Sequence, residues 1–93
     1  MPKLTISQLR DLIRSLNYVV SIHAAEELDD DNLTILDLEN IILTGEIVKR
    51  QRDRQTGEVK CVIRGHTLNG LAAESIVKIG LTGRLVVITV YVV

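Results

Sequence analysis

The 93 residues, 46% hydrophobic and 25% charged with a net charge of −1, exclude a disordered chain and leave room for one domain with one small core. The longest apolar stretch, Leu85 to Val93, is broken by Thr89 and falls well short of the ~20 residues a membrane-spanning helix needs, and Arg10 and Arg14 interrupt any signal-peptide pattern. A single cysteine, Cys61, excludes an internal disulfide framework and a cysteine-based zinc site, so the expected compartment is the cytoplasm, with no membrane partner.

Thr5-Ile-Ser-Gln8 has the form of a capping box. Ile6, Leu9, Leu12, Ile13 and Leu16 then recur at helical spacing, which predicts a first helix over residues 6–16, stopped by Asn17. Tyr18 to Ile22 is short and β-branched and reads as a strand. His23 to Asp31 reads as a short helix with Ala24, Ala25 and Leu28 inward and Asn32 at its end. Thr34-Ile-Leu-Asp37 opens a third helix, whose stripe is Ile35, Leu38, Ile41 and Ile42 and whose end is Gly45.

After Gly45 the chain reads as four strands. They are Glu46–Arg52, a run around Val59, Cys61 and Ile63, then Leu71–Ile79 and Leu85–Val93. Gln55-Thr-Gly57 is a turn, Asn69-Gly70 is the strongest hairpin signal, and Gly80 and Gly83 make the last turn. Short connections make these strands an antiparallel meander covered on one face by the helices. The last strand is apolar on both alternations, with Leu85, Val87 and Val93 on one side and Val86, Ile88 and Val90 on the other. It is therefore central in the sheet or covered by another chain. The fold class is α+β: N-terminal helices on a four-stranded antiparallel β-meander.

Charge is unevenly spread. Residues 1–44 hold three cations against eight acids, or −5, and residues 45–93 hold eight against four, or +4. Such a dipolar chain has either two solvated faces or a basic surface for phosphates or an acidic partner. It also presents complementary surfaces to a second copy of itself, so a homo-oligomer, most simply a two-fold dimer, is expected. Two tyrosines and no other aromatic ring leave no stacking platform for single-stranded nucleic acid, so any RNA contact rests on charge, hydrogen bonds and at most one ring.

Several side chains carry chemistry. His23, at a strand-to-helix junction, can act as a general acid or base, or simply bond nearby backbone. His23, Glu26 and Glu27 lie three and four residues apart on a helix and run into Asp29, Asp30 and Asp31, but this spacing matches no metal motif and reads as a solvated acidic face. Lys49, Arg50, Arg52 and Arg54 form the clearest basic patch, with the three arginines on one face of their strand, and Lys60 and Arg64 share a face of the next. Such groups grip phosphate and neutralise the attack of a ribose 2′-hydroxyl; equally, they defend an edge strand against aggregation. His66 sits beside Arg64 at a hairpin and can be a proton-transfer partner or merely solvated. Cys61 alternates with Val59 and Ile63 as a core thiol.

Four short motifs now lie on these elements: Ser21-Ile-His23-Ala24 opening a helix, Leu33-Thr34 opening the next, Gly45 before the first long strand, and Ile88-Thr-Val-Tyr91 in the last strand. Over residues 18–92 the chain resembles the bacterial domain-of-unknown-function family 4258, which is similar to a distant branch of the RelE/ParE toxin superfamily. That resemblance implies a small α+β toxin-like protein that cleaves messenger RNA on the ribosome without a metal, or poisons gyrase, and is neutralised by an antitoxin. It implies no cofactor. It makes His23, Arg50, Arg52, Arg64 and Tyr91 the candidate catalytic residues, although Tyr91 also reads as the core ring of a protein short of aromatics. The family resembled usually carries arginines four and eight residues after its motif histidine, where this chain has Glu27 and Asp31. These acids repel phosphate, which moves any phosphate site onto the sheet. The alternative reading is a non-catalytic interaction or homodimerisation domain, its interface supplied by the sheet and the apolar last strand.

Overall fold

A computed structural model describes residues 4–93. The chain runs α1 (Ile6–Arg14), β1 (Tyr18–Val20), α2 (Ile22–Asp30), α3 (Ile35–Thr44), β2 (Glu46–Arg52), β3 (Val59–His66), β4 (Ala72–Ile79) and β5 (Leu85–Val92). The strands form one sheet in the order β1-β5-β4-β3-β2. The four long strands make the expected antiparallel meander. The sheet nevertheless has five strands, not four. The short β1 joins its far side in parallel with β5, pairing Tyr18 with Leu85 and Val20 with Val87. β5, apolar on both alternations, is thereby central.

The helix starts follow their capping chemistry. Thr5 and Gln8 close a capping box on α1, Thr34 and Asp37 close one on α3, and Ser21 caps α2 through the Ala24 N–H. The ends differ from expectation in two places. α1 stops at Arg14, and the left-handed residue is Leu16 (φ 57°), not Asn17. Leu16 N–H and Asn17 N–H turn back to the carbonyls of Ile13 and Leu12. Gly45, at the end of α3, has an extended backbone (φ −91°), so it is not a left-handed cap. A Cβ there would lie 2.5 Å from the Ile41 carbonyl oxygen, so glycine is required by crowding. Asn32 (φ 55°) ends α2 as expected.

All three helices pack on one face of the sheet. Leu9 and Ile13 of α1, Ala24 and Leu28 of α2, and Leu38, Ile41 and Ile42 of α3 meet Cys61, Ile63, Ala73, Val77, Leu85, Val87 and Val90. Cys61 is fully buried among them, as an unreactive thiol whose pKa burial pushes up. Arg10 reaches from α1 to the Gly45 carbonyl at 2.8 Å and ties the helices together. The Asn69-Gly70 hairpin forms between β3 and β4, but Asn69 keeps a negative φ, so the pair is not the centre of a two-residue turn. The turn runs Thr67 to Gly70, closed by the Gly70 N–H on the Thr67 carbonyl at 3.0 Å, with Gly70 at φ 83°.

A bulge in β5 changes which side chains face inward. Ile76 pairs with Thr89 and Val77 with Val87, leaving Ile88 as the extra residue. Strict alternation would set Val90 opposite to Val87 and place Tyr91 beside it in the core. The bulge reverses the phase, so Val90 joins Leu85 and Val87 in the core, and Tyr91 moves to the face no helix covers.

Candidate functional site

The helix-free face is built from cross-strand rows, because residues paired across an antiparallel ladder share a face. One row is Glu46, Arg64, Glu74 and Tyr91; the next is Lys49, Val62, Ile76 and Thr89. Together these line an open groove of about 470 Å³, with Val62 and Ile76 as its floor, Val48, Lys49 and Gln51 of β2 as one rim, and Arg64, Glu74 and Tyr91 along its length.

Glu74 is the hub. Only 10% of its side chain is exposed, although no helix covers this face. One carboxylate oxygen accepts from Arg64 Nε at 2.8 Å and Nη2 at 2.6 Å. The other accepts from the Tyr91 hydroxyl. The Tyr91 hydrogen bond, followed by the Arg64 guanidinium, holds the Glu74 carboxyl below its usual range against the opposing effect of burial. The same hydrogen bond and burial hold Tyr91 in its phenol form above its usual pKa. The Arg64 side chain is 57% exposed, so its guanidinium is pinned along one edge and open to solvent along the other. Such a guanidinium is preoriented for a phosphate oxygen.

His23 and Glu27 lie at the margin of this face. β1 ends at Val20, and beyond it the outer edge of β5 is satisfied by side chains. Ser21 donates from its N–H to Val87 and from its hydroxyl to the Ile88 carbonyl. Glu27 then accepts from the Val90 N–H at 3.1 Å and from the Thr89 hydroxyl. His23 Nε2 lies 3.3 Å from the same Glu27 oxygen, with 68% of its side chain exposed. Glu27 thus has a structural duty, capping a strand edge. Glu26, Asp29 and Asp30 are exposed on α2 and Asp31 just after it, and among the described residues no group of acids, histidines and cysteine is arranged to hold a metal ion.

Of the five residues singled out from the sequence, the sheet brings Arg64 and Tyr91 together through Glu74. It sets His23 at the edge of β5, two strand residues from Tyr91 through its chain of contacts to Glu27 and Thr89. Arg50 and Arg52 are not part of this site. A bulge at Val48 sets the register so that Arg50 pairs with Cys61 and Arg52 with Val59, which puts both on the helix side, where Arg50 donates to the Leu4 carbonyl at 2.9 Å. Arg54 lies in the turn after β2, and Lys60 pairs with Lys78, which Glu58 holds at 2.7 Å. His66 ends β3 with its ring exposed and its backbone tied to Thr44 and Asn40.

Glu74 was not among the residues read from sequence. The hairpin signal misses it: a two-residue Asn69-Gly70 turn would set Arg64 opposite Ser75, and only the observed register, one residue shifted, sets it opposite Glu74.

The profile of the family described as Domain of unknown function (DUF4258) matches residues 20–92. The chain belongs to this family. No match is found among curated proteins or among solved structures. The matched span begins within β1 and includes every residue of the DUF4258 chain's groove and of the His23–Glu27–Thr89 contact; α1 lies outside it.

Proposed function

We propose that this DUF4258 protein is a relative of the RelE/ParE toxins that binds RNA on the helix-free face of its sheet and cleaves it without a metal ion. The observation that carries the reading is the Arg64–Glu74–Tyr91 cluster. A carboxylate nine-tenths buried on the face no helix covers, with both oxygens engaged, costs folding free energy that an apolar pair would not. Its product is one guanidinium held rigidly at the wall of a groove. In the proposed reaction the 2′-hydroxyl attacks the scissile phosphate, the bond to the 5′-oxygen breaks and a 2′,3′-cyclic phosphate forms, while Arg64 grips the phosphate and offsets the charge that develops. Glu74 positions Arg64 and Tyr91. Tyr91, kept as a phenol, gives its one O–H to Glu74 and so helps fix the carboxylate that holds Arg64, and His23 is the group available to take the 2′-hydroxyl proton and return one to the leaving oxygen. An antitoxin is the neutralising partner this reading requires.

The reading is tested by inducing the protein in a bacterial host. Growth should arrest, and Arg64→Ala should relieve the arrest while the protein stays folded and soluble. Arg50→Ala with Arg52→Ala, on the opposite face, should relieve it far less. Equal growth of induced and uninduced cells containing soluble protein would overturn the reading. The half-exposed Val48 beside Val62 and Ile76 favours a second reading, a non-catalytic protein-binding face. No arrest together with a dimer in sedimentation would select it.

A further inference from the structure

We infer that the outer edge of β2 takes up an added strand from an acidic, extended peptide segment of a partner protein. This inference does not rest on the RNA reading. β2 is the last strand of the sheet, and among the described residues no strand lies beyond it. It is seven residues long and contains no proline, and Val48 to Arg52 are all exposed. Beyond the bulge at Val48 its register with β3 is regular from Lys49 to Arg52, so that segment presents an ordered row of unpaired backbone groups. The other end of the sheet offers no such row, because β1 is three residues long and the rest of the β5 edge is closed by Ser21 and Glu27.

Charge selects the occupant. Lys49 faces the groove side, Arg50 and Arg52 face the helix side, and the one acid, Glu46, stands before the bulge. A second copy of β2 either sets Arg50 and Arg52 against each other, which is unfavourable in cross-strand pairs, or sets Lys49 against itself, and Lys49 to Arg52 offer it no acid. A strand with acids on both alternations meets complementary charge on both. Backbone pairing supplies the affinity and the side chains the selection.

The test uses the whole chain and three peptides of about ten residues: one of glutamate pairs alternating with valine pairs, which sets acids on both faces of a strand, its lysine–valine counterpart, and the glutamate–valine peptide with proline at two central positions. Binding is read by fluorescence anisotropy and by hydrogen exchange of the β2 amides. The glutamate–valine peptide should bind and slow exchange in β2, and the other two should bind at least about tenfold more weakly. Lys49→Glu with Arg52→Glu, both at exposed positions, should weaken the glutamate–valine peptide at least about tenfold and strengthen the lysine–valine one. The inference is overturned by absence of protection in wild-type β2 at millimolar peptide, by equal binding of the proline peptide, or by equal binding to the charge-reversed protein. It is also overturned if a single-stranded RNA protects these amides and the peptide does not.

Discussion

Gly65→Ala should destabilise the protein severely. A Cβ on Gly65 would stand 2.0 Å from the Ile41 carbonyl oxygen, 2.9 Å from its carbon and 3.0 Å from the Gly45 Cα, all of them backbone. No rotamer change relieves that overlap, so α3 would have to lift from β3. Leu38, Ile41 and Ile42, each fully buried, would move with it. Overpacking of this kind costs about 3 kcal/mol or more, against roughly 5–14 kcal/mol available to a domain of this size. The melting temperature should fall by about 12 °C or more. Gly57→Ala is the control: nothing lies within 4 Å of the added Cβ, and only the strain of φ 74° remains, about 1 kcal/mol. Thermal unfolding followed by circular dichroism measures both. Equal melting temperatures for Gly65→Ala and wild type would mean that α3 does not lie this close to the sheet.

The second large effect belongs to Glu74→Gln. The substitution keeps the shape but removes the charge, leaving the Arg64 guanidinium unbalanced and weakening the acceptor for Tyr91. Arg64 is more than half exposed, so water offsets part of the loss, and about 1–3 kcal/mol of destabilisation is expected near pH 7. The sign of its pH dependence follows from the depressed Glu74 pKa. A carboxyl with a lower pKa folded than unfolded stabilises fully above its unfolded value, about 4.3, and that contribution disappears as the pH falls through the folded value. Wild type should therefore lose its advantage over Glu74→Gln as the pH drops below about 4. Asp37, held low by backbone N–H groups of Thr34 and Leu68, loses stability in the same acid window, but it does so in both proteins and cancels from the difference. Urea unfolding at a series of pH values gives the comparison. A difference independent of pH would show that Glu74 is not ionised and paired in the native state.

The helices and the meander were legible because each rests on local chemistry: Thr5 with Gln8, Thr34 with Asp37, and the period-two alternation around Cys61 and Ile63. Pairing and phase were not. Tyr18 to Val20 announces a strand but does not name a partner, and its parallel match to β5 closes only after two intervening helices. The alternation of β2 groups Arg50 with Arg52, and that of β3 groups Lys60 with Arg64. Which of these faces meets the helices depends on register, and register depends on a bulge at Val48 that no residue type marks. The bulge at Ile88 likewise turns Tyr91 from an expected core ring into the hydroxyl that holds Glu74. The site arises where two bulges shift the phase of otherwise regular strands.

The most direct test of the helix-free face as the RNA site is a backbone amide NMR titration with a short single-stranded RNA, protected from cleavage by 2′-O-methyl groups. The shifts should concentrate on Arg64, Glu74, Ile76 and Tyr91, and they should collapse in Arg64→Ala. Shifts confined to α1–α3 and to Arg50 and Arg52, or none at millimolar RNA, would contradict the assignment of this face.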